Sequence, residues 1–331
     1  MLKELTKYVV IGILAGFIAY SFTIKKPVSI KVTESETSVA SISKDSFNQI
    51  YSSVKDSVVT IKTNIGRGSG VIVTDQGHVV TNEHVIRGAR QIQVITSDNV
   101  AFPATIVGTD AITDIALLKS NYIGEPIIFS DSSKAKIGDI VLAIGNPFGV
   151  GQTLTQGIIS RTNSGHITEN PLDEFLQSDA AINPGNSGGA MVNTSGKLIG
   201  INTMNLSLGG GSDGIGLAVP SNLVKNIIEQ IIEYGQVVRG YVGLSAYDTS
   251  NGVMITKVLK NGPADLAGLK PRDIILGIND MKIKNIKQVV KIVASLEVNQ
   301  KITVKHLRND SILETTINVA QMPESHKTIN R

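Results

Sequence analysis

The sequence Asn183-Pro184-Gly185-Asn186-Ser187-Gly188-Gly189 places one serine in a loop of small residues. Glycine adopts backbone conformations that other residues avoid, so such a loop can turn several backbone N–H groups toward one point. A serine beside converging N–H groups is typical of nucleophilic catalysis, in which the N–H groups stabilise a developing oxyanion. The alternative is an ordinary turn, because Gly, Asn and Ser are all common turn residues.

Two upstream segments supply the groups that such a serine needs. His84 lies in Thr81-Asn82-Glu83-His84-Val85, directly after an apolar stretch, and Asp114 lies in Thr113-Asp114-Ile115-Ala116-Leu117. A serine becomes a strong nucleophile when a histidine accepts its proton and a buried carboxylate fixes the tautomer of that histidine. Taken alone, each of the three residues is also compatible with a purely structural role. Together, His84, Asp114 and Ser187 are predicted to form a catalytic triad.

The composition excludes several classes of function. The chain has 331 residues, which leaves room for more than one domain. Its net charge of +3 provides no basic footprint for nucleic acid, so we expect no nucleic-acid partner. The absence of cysteine excludes disulfides and thiol catalysis. The sequence also has no Cys/His cluster of the kind that binds a metal. We therefore expect neither a metal nor a cofactor.

The N-terminal region contains a long apolar segment. Residues 8–24 carry no charge over 17 positions, which as a helix is about 25 Å, at the short end for spanning a bilayer. Lys7 and Lys25 flank the segment and can extend their charged ends to the interface. A cleaved signal peptide is the alternative, but the apolar run is longer than usual and no small-residue cleavage site follows it. We predict an uncleaved transmembrane anchor.

The region that follows the anchor is rich in short strands bounded by turn residues. A first set is predicted at 58–62, 70–73, 78–81 and 92–95, and a second at 140–144, 152–156, 198–201 and 214–219. Two sets of closely spaced strands indicate two β-barrels, with His84 and Asp114 in the first and Ser187 in the second. Apolar residues at helical spacing then predict a helix that is capped by Ser221 and ends at Gly235.

These segments also carry a family resemblance, from about residue 47 to about residue 322. The motifs that carry it, besides the serine loop and the segments around His84 and Asp114, are Gly68-Ser69-Gly70-Val71-Ile72, Ala143-Ile144-Gly145-Asn146-Pro147, Thr155-Gln156-Gly157-Ile158-Ile159-Ser160 and Gln177-Ser178-Asp179-Ala180. The chain resembles the HtrA family of serine endoproteases, and within it the membrane-anchored periplasmic stress-sensor proteases. The resemblance implies a mainly β protein: a chymotrypsin-like double β-barrel protease domain, then one PDZ domain, with an N-terminal transmembrane helix.

The second domain resembles a PDZ domain through Asn261-Gly262-Pro263-Ala264 and Asp273-Ile274-Ile275-Leu276-Gly277. Tyr241, Val242, Gly243 and Leu244 match its carboxylate-binding loop, whose N–H groups receive a peptide C-terminus while the peptide adds a strand to the sheet. The alternative is an ordinary strand start. The predicted organisation is a cytoplasmic N-terminus over 1–7, the anchor over 8–25, a linker over 26–45, the protease domain over 46–235, the PDZ domain over 236–322 and a tail over 323–331.

The resemblance also implies details of the protease site. The N–H groups of Gly185 and Ser187 are the expected oxyanion donors, and Asn186 shapes the loop. The substrate pocket is expected to be apolar and to accept small or medium aliphatic residues such as Val before the scissile bond. The predicted pocket residues are Ala181, Ile182, Ile201 and Met204.

Regulation and partners follow from the resemblance as well. It implies a single-pass protein of the bacterial inner membrane, with its protease and PDZ domains in the periplasm. It also implies that C-terminal peptides of misfolded outer-membrane proteins activate the protease, which then cleaves a membrane-bound anti-sigma factor. Phe47 and Tyr51 sit where the family forms a homotrimer, although core packing would also explain them. Ser164 stands where the stress sensors have Arg, and Pro184 where they have His. The alternatives are a general periplasmic quality-control protease, and a PDZ binding or chaperone module with a silent protease.

Overall fold

The computed structural model describes residues 46–146, 151–162, 170, 172–205 and 213–323. The predicted membrane anchor over 8–25, the linker over 26–45 and Ser164 lie outside these residues. Within the described ranges, no helix combines the length and the apolar character that crossing a membrane requires.

The first six strands form a closed barrel in the order β1-β2-β3-β6-β5-β4. The strands are β1 (Val58–Thr63), β2 (Arg67–Ile72), β3 (His78–Thr81), β4 (Ile92–Ile95), β5 (Ala101–Asp110) and β6 (Ile115–Ser120). The barrel closes around buried aliphatic side chains such as Ile61, Val79 and Leu118. Alternation along each strand directs these residues inward.

The next six strands form a second closed barrel, in the order β10-β11-β12-β9-β8-β7. They are β7 (Ile140–Gly145), β8 (Thr153–Arg161), β9 (Leu176–Ser178), β10 (Ala190–Asn193), β11 (Leu198–Asn205) and β12 (Gly216–Pro220). Val141, Ile159 and Met191 are fully buried in its core. The prediction of a double β-barrel is therefore confirmed.

Short helices accompany the barrels. Helix α1 (Ser46–Val54) buries Ile50 and Val54 and leads through a 3-10 turn (Lys55–Ser57) into β1, α2 (Glu83–Ile86) follows β3, and a second 3-10 turn (Ser132–Lys134) precedes β7. The two aromatic residues of α1 are half-buried. The hydroxyl of Tyr51 donates a hydrogen bond to Gln152 Oε1 at 3.1 Å. The trimer contact expected of these aromatics stays a prediction.

Helix α3 (Ser221–Tyr234) has the predicted apolar stripe, which buries Val224, Ile227, Ile228 and Ile231. Gly235 ends the helix in the left-handed conformation, with φ 74°, as glycine favours at this position. The predicted cap at Ser221 is wrong, because the residue before the helix is Pro220 and Ser221 is its first residue. The buried Ser221 hydroxyl donates instead to Ser130 O at 2.6 Å.

The second domain is a twisted sheet with two helices. Its strands are β13 (Gly240–Tyr241), β14 (Leu244–Thr249), β15 (Gly252–Val258), β16 (Ile274–Ile278), β17 (Met281–Lys282), β18 (Lys301–Arg308), β19 (Ser311–Asn318) and β20 (Ala320–Gln321). The main sheet runs β14-β15-β16-β18-β19, β17 pairs with β16, and β13 pairs with β20. Helices α4 (Pro263–Leu266) and α5 (Ile286–Ala294) complete it. Strand β14 is an edge strand beside α5.

A buried ion pair connects the second domain to the first barrel. Arg239 donates from Nη1 and Nη2 to the two carboxylate oxygens of Asp110, at 2.7 Å each. Both side chains are buried, and Thr113 Oγ1 also donates to Asp110. This bidentate contact gives each charge a partner, whereas either side chain without the other would be an unpaired buried charge that lowers stability. Lys291 and Glu174 form a second, exposed pair at 2.5 Å.

A buried histidine in the first barrel makes stability depend on pH. His78 lies in β3, and its Nδ1 is 2.8 Å from Thr74 Oγ1. Burial, and to a smaller extent the charge of Lys119, lower the pKa of His78 from 6.5 to about 4. Between these values the unfolded chain holds a proton that the folded chain does not, so stability falls as pH falls from 6.5 to about 4.

We expect the melting temperature to decrease across this interval, and to decrease less steeply in His78→Gln. The dependence should become shallower rather than flat, because burial also lowers the pKa of His306, in the second domain. Calorimetry of both proteins between pH 4 and 7 measures the two slopes. An unchanged slope in the variant would show that His78 is not the group responsible.

Candidate active site

The first barrel holds a histidine–carboxylate pair. His84 lies in α2, and Asp114 lies in the turn between β5 and β6. His84 Nδ1 is 2.7 Å from Asp114 Oδ2, and the His84 backbone N–H donates to Asp114 Oδ1 at 3.0 Å. The carboxylate is buried, with 3% of its side chain exposed, whereas the imidazole is 40% exposed. This geometry places a proton on Nδ1 and leaves the other ring nitrogen of His84 available to a neighbouring hydroxyl.

Asp114 is ionised in this environment. Burial by itself raises the pKa of its carboxyl, but hydrogen bonds from His84 and Thr203 hold that pKa below its ordinary value. Thr203 Oγ1 donates to Asp114 Oδ2 at 2.7 Å. The sequence analysis missed Thr203, and the signal for it was its position next to the predicted pocket residue Met204.

The backbone of Asp114 is held as tightly as its side chain. Its φ of 60° is in the left-handed region, which is uncommon for a residue other than glycine. The Asp114 carbonyl accepts hydrogen bonds from Asn82 Nδ2 at 2.9 Å and from the Glu83 N–H at 3.2 Å. These contacts tie the turn that carries Asp114 to the segment that carries His84, so the two side chains are positioned together.

The serine loop packs against strand β2 through Ser69. The Ser69 N–H donates to Ser187 O at 2.8 Å, and the Ser69 hydroxyl donates to Gly185 O at 2.7 Å. Gly188 lies close beside them at φ 83°, and a Cβ there would meet Ser69 O at 2.1 Å. Glycine at position 188 is therefore required for the serine loop to pack this closely against β2. Ser69 itself was not predicted as part of the site.

The hydroxyl of Ser187 donates to the carbonyl of Thr203 at 2.8 Å rather than to His84. In the same loop, the N–H of Asn186 donates to Asn183 O at 2.9 Å. Among the described residues, no backbone carbonyl accepts from the N–H groups of Gly185 and Ser187. These two donors are therefore available to a ligand, while Asn186 is used inside the loop.

His84, Asp114 and Ser187 open on one cavity of about 350 Å³. Its other lining residues are Arg87, Ile182, Asn183, Pro184, Thr203, Met204 and Asn205. Of the predicted pocket residues, Ile182 and Met204 line this cavity. Ala181 and Ile201 do not line it, and Ile201 is fully buried in β11, paired with Val219 and Ala190.

The predicted carboxylate-binding loop leads into the edge strand β14. Gly243 has a φ of 74°, which glycine adopts without strain. The carbonyls of Val242 and Gly243 accept hydrogen bonds from Ala264 N and Leu259 N, at 2.9 and 2.8 Å. In the part of the chain that the structure describes, the N–H groups of these two residues have no backbone acceptor in this loop. These two N–H groups lie next to the edge strand β14.

Comparisons with known proteins cover both domains. A trypsin-like peptidase domain matches residues 68–201, and a PDZ domain matches residues 240–319. Serine endoprotease DegS of Salmonella typhimurium is 39% identical over 300 residues, which is 85% of this chain and 83% of the relative. Periplasmic serine endoprotease DegP of Escherichia coli is 40% identical over 276 residues, and there the chain spans 58% of the relative.

Solved structures agree with this relationship. The HtrA-type protease AlgW, determined with a decapeptide, superposes with a TM-score of 0.79 at 36% identity, over 84% of this chain and 99% of the other. The serine endoprotease from Yersinia pestis gives a TM-score of 0.74 at 38% identity, over 84% of this chain and 98% of the other. The chain is a serine endopeptidase with a PDZ domain, and it belongs to the HtrA family.

Proposed function

We propose that Ser187 is the nucleophile of this endopeptidase, that His84 is its general base and acid, and that Asp114 orients His84. The observation that carries this proposal is the hydrogen bond between buried Asp114 and His84, which open on the same cavity as Ser187. Ser187 Oγ transfers its proton to His84 as the oxygen attacks the peptide carbonyl. His84 then gives the proton to the leaving amine, and water repeats the sequence on the acyl-enzyme.

The N–H groups of Gly185 and Ser187 are proposed to stabilise the oxyanion, since neither is used within the loop. In the structure the Ser187 hydroxyl rests on Thr203 O, so attack requires a rotation of this side chain toward His84. Rotation about a serine side-chain bond is a small movement between staggered positions. A peptide that enters the cavity can donate a hydrogen bond to the carbonyl of Thr203 in place of the Ser187 hydroxyl, and this exchange favours the rotation.

The substrate pocket is proposed to be formed by Ile182 and Met204 and to receive an aliphatic side chain such as Val. Both side chains line the cavity in front of Ser187. Ala181 and Ile201 do not line this cavity and are not part of the proposed pocket. An apolar pocket gains affinity by excluding water from the substrate side chain.

The PDZ domain is proposed to bind the free C-terminus of a peptide at Tyr241–Val242–Gly243–Leu244 and to regulate the protease. The N–H groups of Val242 and Gly243, which have no backbone acceptor within the described residues and lie next to the edge strand β14, support this. The related protease AlgW has been determined with a decapeptide. Following the similarity to DegS, we propose a homotrimer anchored in the bacterial inner membrane by residues 8–25, with its domains in the periplasm. There it senses C-termini of misfolded outer-membrane proteins and cleaves a membrane-bound anti-sigma factor.

The second candidate function is general periplasmic quality control, which the similarity to DegP favours. The two functions differ in their substrates. A regulatory protease leaves unfolded casein largely intact and cuts one site in one partner, whereas a quality-control protease degrades casein extensively.

The test of the regulatory proposal is turnover of a peptide substrate by the full chain in detergent, with a stimulating peptide either as the free acid or amidated at its C-terminus. We expect the free acid to stimulate and the amide to fail. Moving an inactive population of 1:99 to 99:1 needs about 5.5 kcal/mol of differential binding, so stimulation by a short peptide is expected to be partial. Equal stimulation by both peptides would contradict carboxylate capture.

A further inference from the structure

Arg87 lies at the edge of the catalytic cavity and has no part in the triad. It follows α2 directly, three residues after His84. It is the C-cap residue of this helix, with a non-helical ψ of 121°, and it reaches the same cavity as the imidazole of His84. Arg87 lines the cavity together with His84 and Ser187, and 51% of its side chain is exposed.

Glu83 holds one edge of this guanidinium. Arg87 Nε donates to both oxygens of Glu83, at 3.1 and 2.9 Å, and Nη2 donates to Oε2. Glu83 is largely buried, with 11% of its side chain exposed, and it does not line the cavity. The pair carries no net charge, but of its two side chains only the positively charged Arg87 lines the cavity.

The other charged group at the cavity, the carboxylate of Asp114, is buried and hydrogen-bonded to His84 and Thr203. Among the described residues that line it, the remaining ionisable groups are His84 and Asp114, and they are paired with each other. The second terminal nitrogen of Arg87, Nη1, has no acceptor within the described part of the chain. Arg87 thus brings a permanent positive charge and free N–H donors to a cavity that a bound peptide would shield from water. Such a charge attracts a carboxylate more strongly when water is displaced.

The position of His84 tells which part of a substrate meets Arg87. In the proposed mechanism His84 protonates the leaving amine, which belongs to the residue after the scissile bond. The apolar side chains of Ile182 and Met204 are left for the residue before it. We propose that Arg87 is a specificity-determining residue that selects substrates with Asp or Glu among the first residues after the scissile bond. This inference rests on the proposed triad.

The test uses the full chain and matched peptides with Val before the scissile bond. The peptides differ only by Glu or Gln at each of the three positions after that bond. We expect kcat/KM to be about tenfold higher for Glu at one of these positions, as for a partly exposed charge-assisted contact. The preference should weaken as salt concentration rises.

Three variants separate the charge of Arg87 from its contribution to helix α2. Arg87→Gln should reduce the Glu/Gln ratio to about one, whereas Arg87→Lys keeps the charge and should retain a ratio above one. Glu83→Gln should increase the ratio, because it removes the competing carboxylate. Arg90→Gln is the control for net charge, since Arg90 is exposed and does not line the cavity, and it should leave the ratio unchanged.

A wild-type ratio of one at all three positions would overturn the proposal, as would an unchanged ratio in Arg87→Gln. Cleavage of the Gln peptides, together with its loss in Ser187→Ala, reports on the triad independently of any ratio. If instead Ser187→Ala cleaved the Gln peptides normally, the triad assignment would fail, and the proposal for Arg87 would fail with it.

Discussion

Replacing Ser187 with alanine is expected to lower peptide turnover by about 10⁴- to 10⁶-fold, while the fold and the binding of C-terminal peptides are retained. The reason is that, among the described residues lining the cavity, the one other hydroxyl is that of Thr203, which is committed to Asp114. The fold should tolerate the change, because within the described ranges the Ser187 hydroxyl makes a single hydrogen bond, to Thr203 O.

The measurement is kcat and KM for a peptide substrate, with circular dichroism to follow the fold. A matched control is Ser195→Ala, which removes an exposed serine hydroxyl in the turn between β10 and β11 and should leave turnover unchanged. Substantial turnover by purified Ser187→Ala would assign the nucleophile to another residue.

Asp114→Asn is expected to lower kcat by about 10⁴-fold with little change in KM. Asp114 accepts three hydrogen bonds with two oxygens: from His84 Nδ1, from the His84 backbone N–H and from Thr203 Oγ1. An amide keeps one acceptor oxygen and turns the other position into a donor. His84 would then meet a donor at Nδ1 and adopt the tautomer that cannot accept the Ser187 proton.

The separation of kcat from KM is the informative part of this experiment. Asp114 is buried behind His84 and offers little surface to a substrate, so the binding of substrate should persist. Reaction of Ser187 with a fluorophosphonate probe should slow in parallel with kcat. If turnover by Asp114→Asn equalled that of the wild type, a different group would have to orient His84.

The Thr203 contacts connect the two halves of the site. Its side chain, from the second barrel, donates to Asp114 of the first barrel, and its carbonyl accepts the Ser187 hydroxyl. The histidine–carboxylate pair is thus formed, while the hydroxyl of Ser187 is hydrogen-bonded to Thr203 O and not to His84. In the proposed mechanism, Ser187 must exchange this hydrogen bond for one to His84.

Local patterns determined much of this protein from the sequence alone. The glycines around Ser187, the segments that present His84 and Asp114, and the apolar spacing of helix α3 each indicate a structure that neighbouring residues impose. Gly235 ends its helix as predicted, because a left-handed cap requires only local geometry. The double barrel also followed, since closely spaced short strands have few ways to bury their apolar faces.

The tertiary structure decided the contacts that join distant segments. Ser221 looked like a helix cap, but its hydroxyl binds Ser130 O, 91 residues away in sequence. Thr203 reaches Asp114 across 89 residues, and the Ser69 hydroxyl reaches the serine loop across 116. Whether a side chain such as Arg87 lines the cavity, or one such as Ile201 is fully buried away from it, depends on how the two barrels pack. Spacing along the chain cannot encode these contacts, because they form only when both barrels have closed.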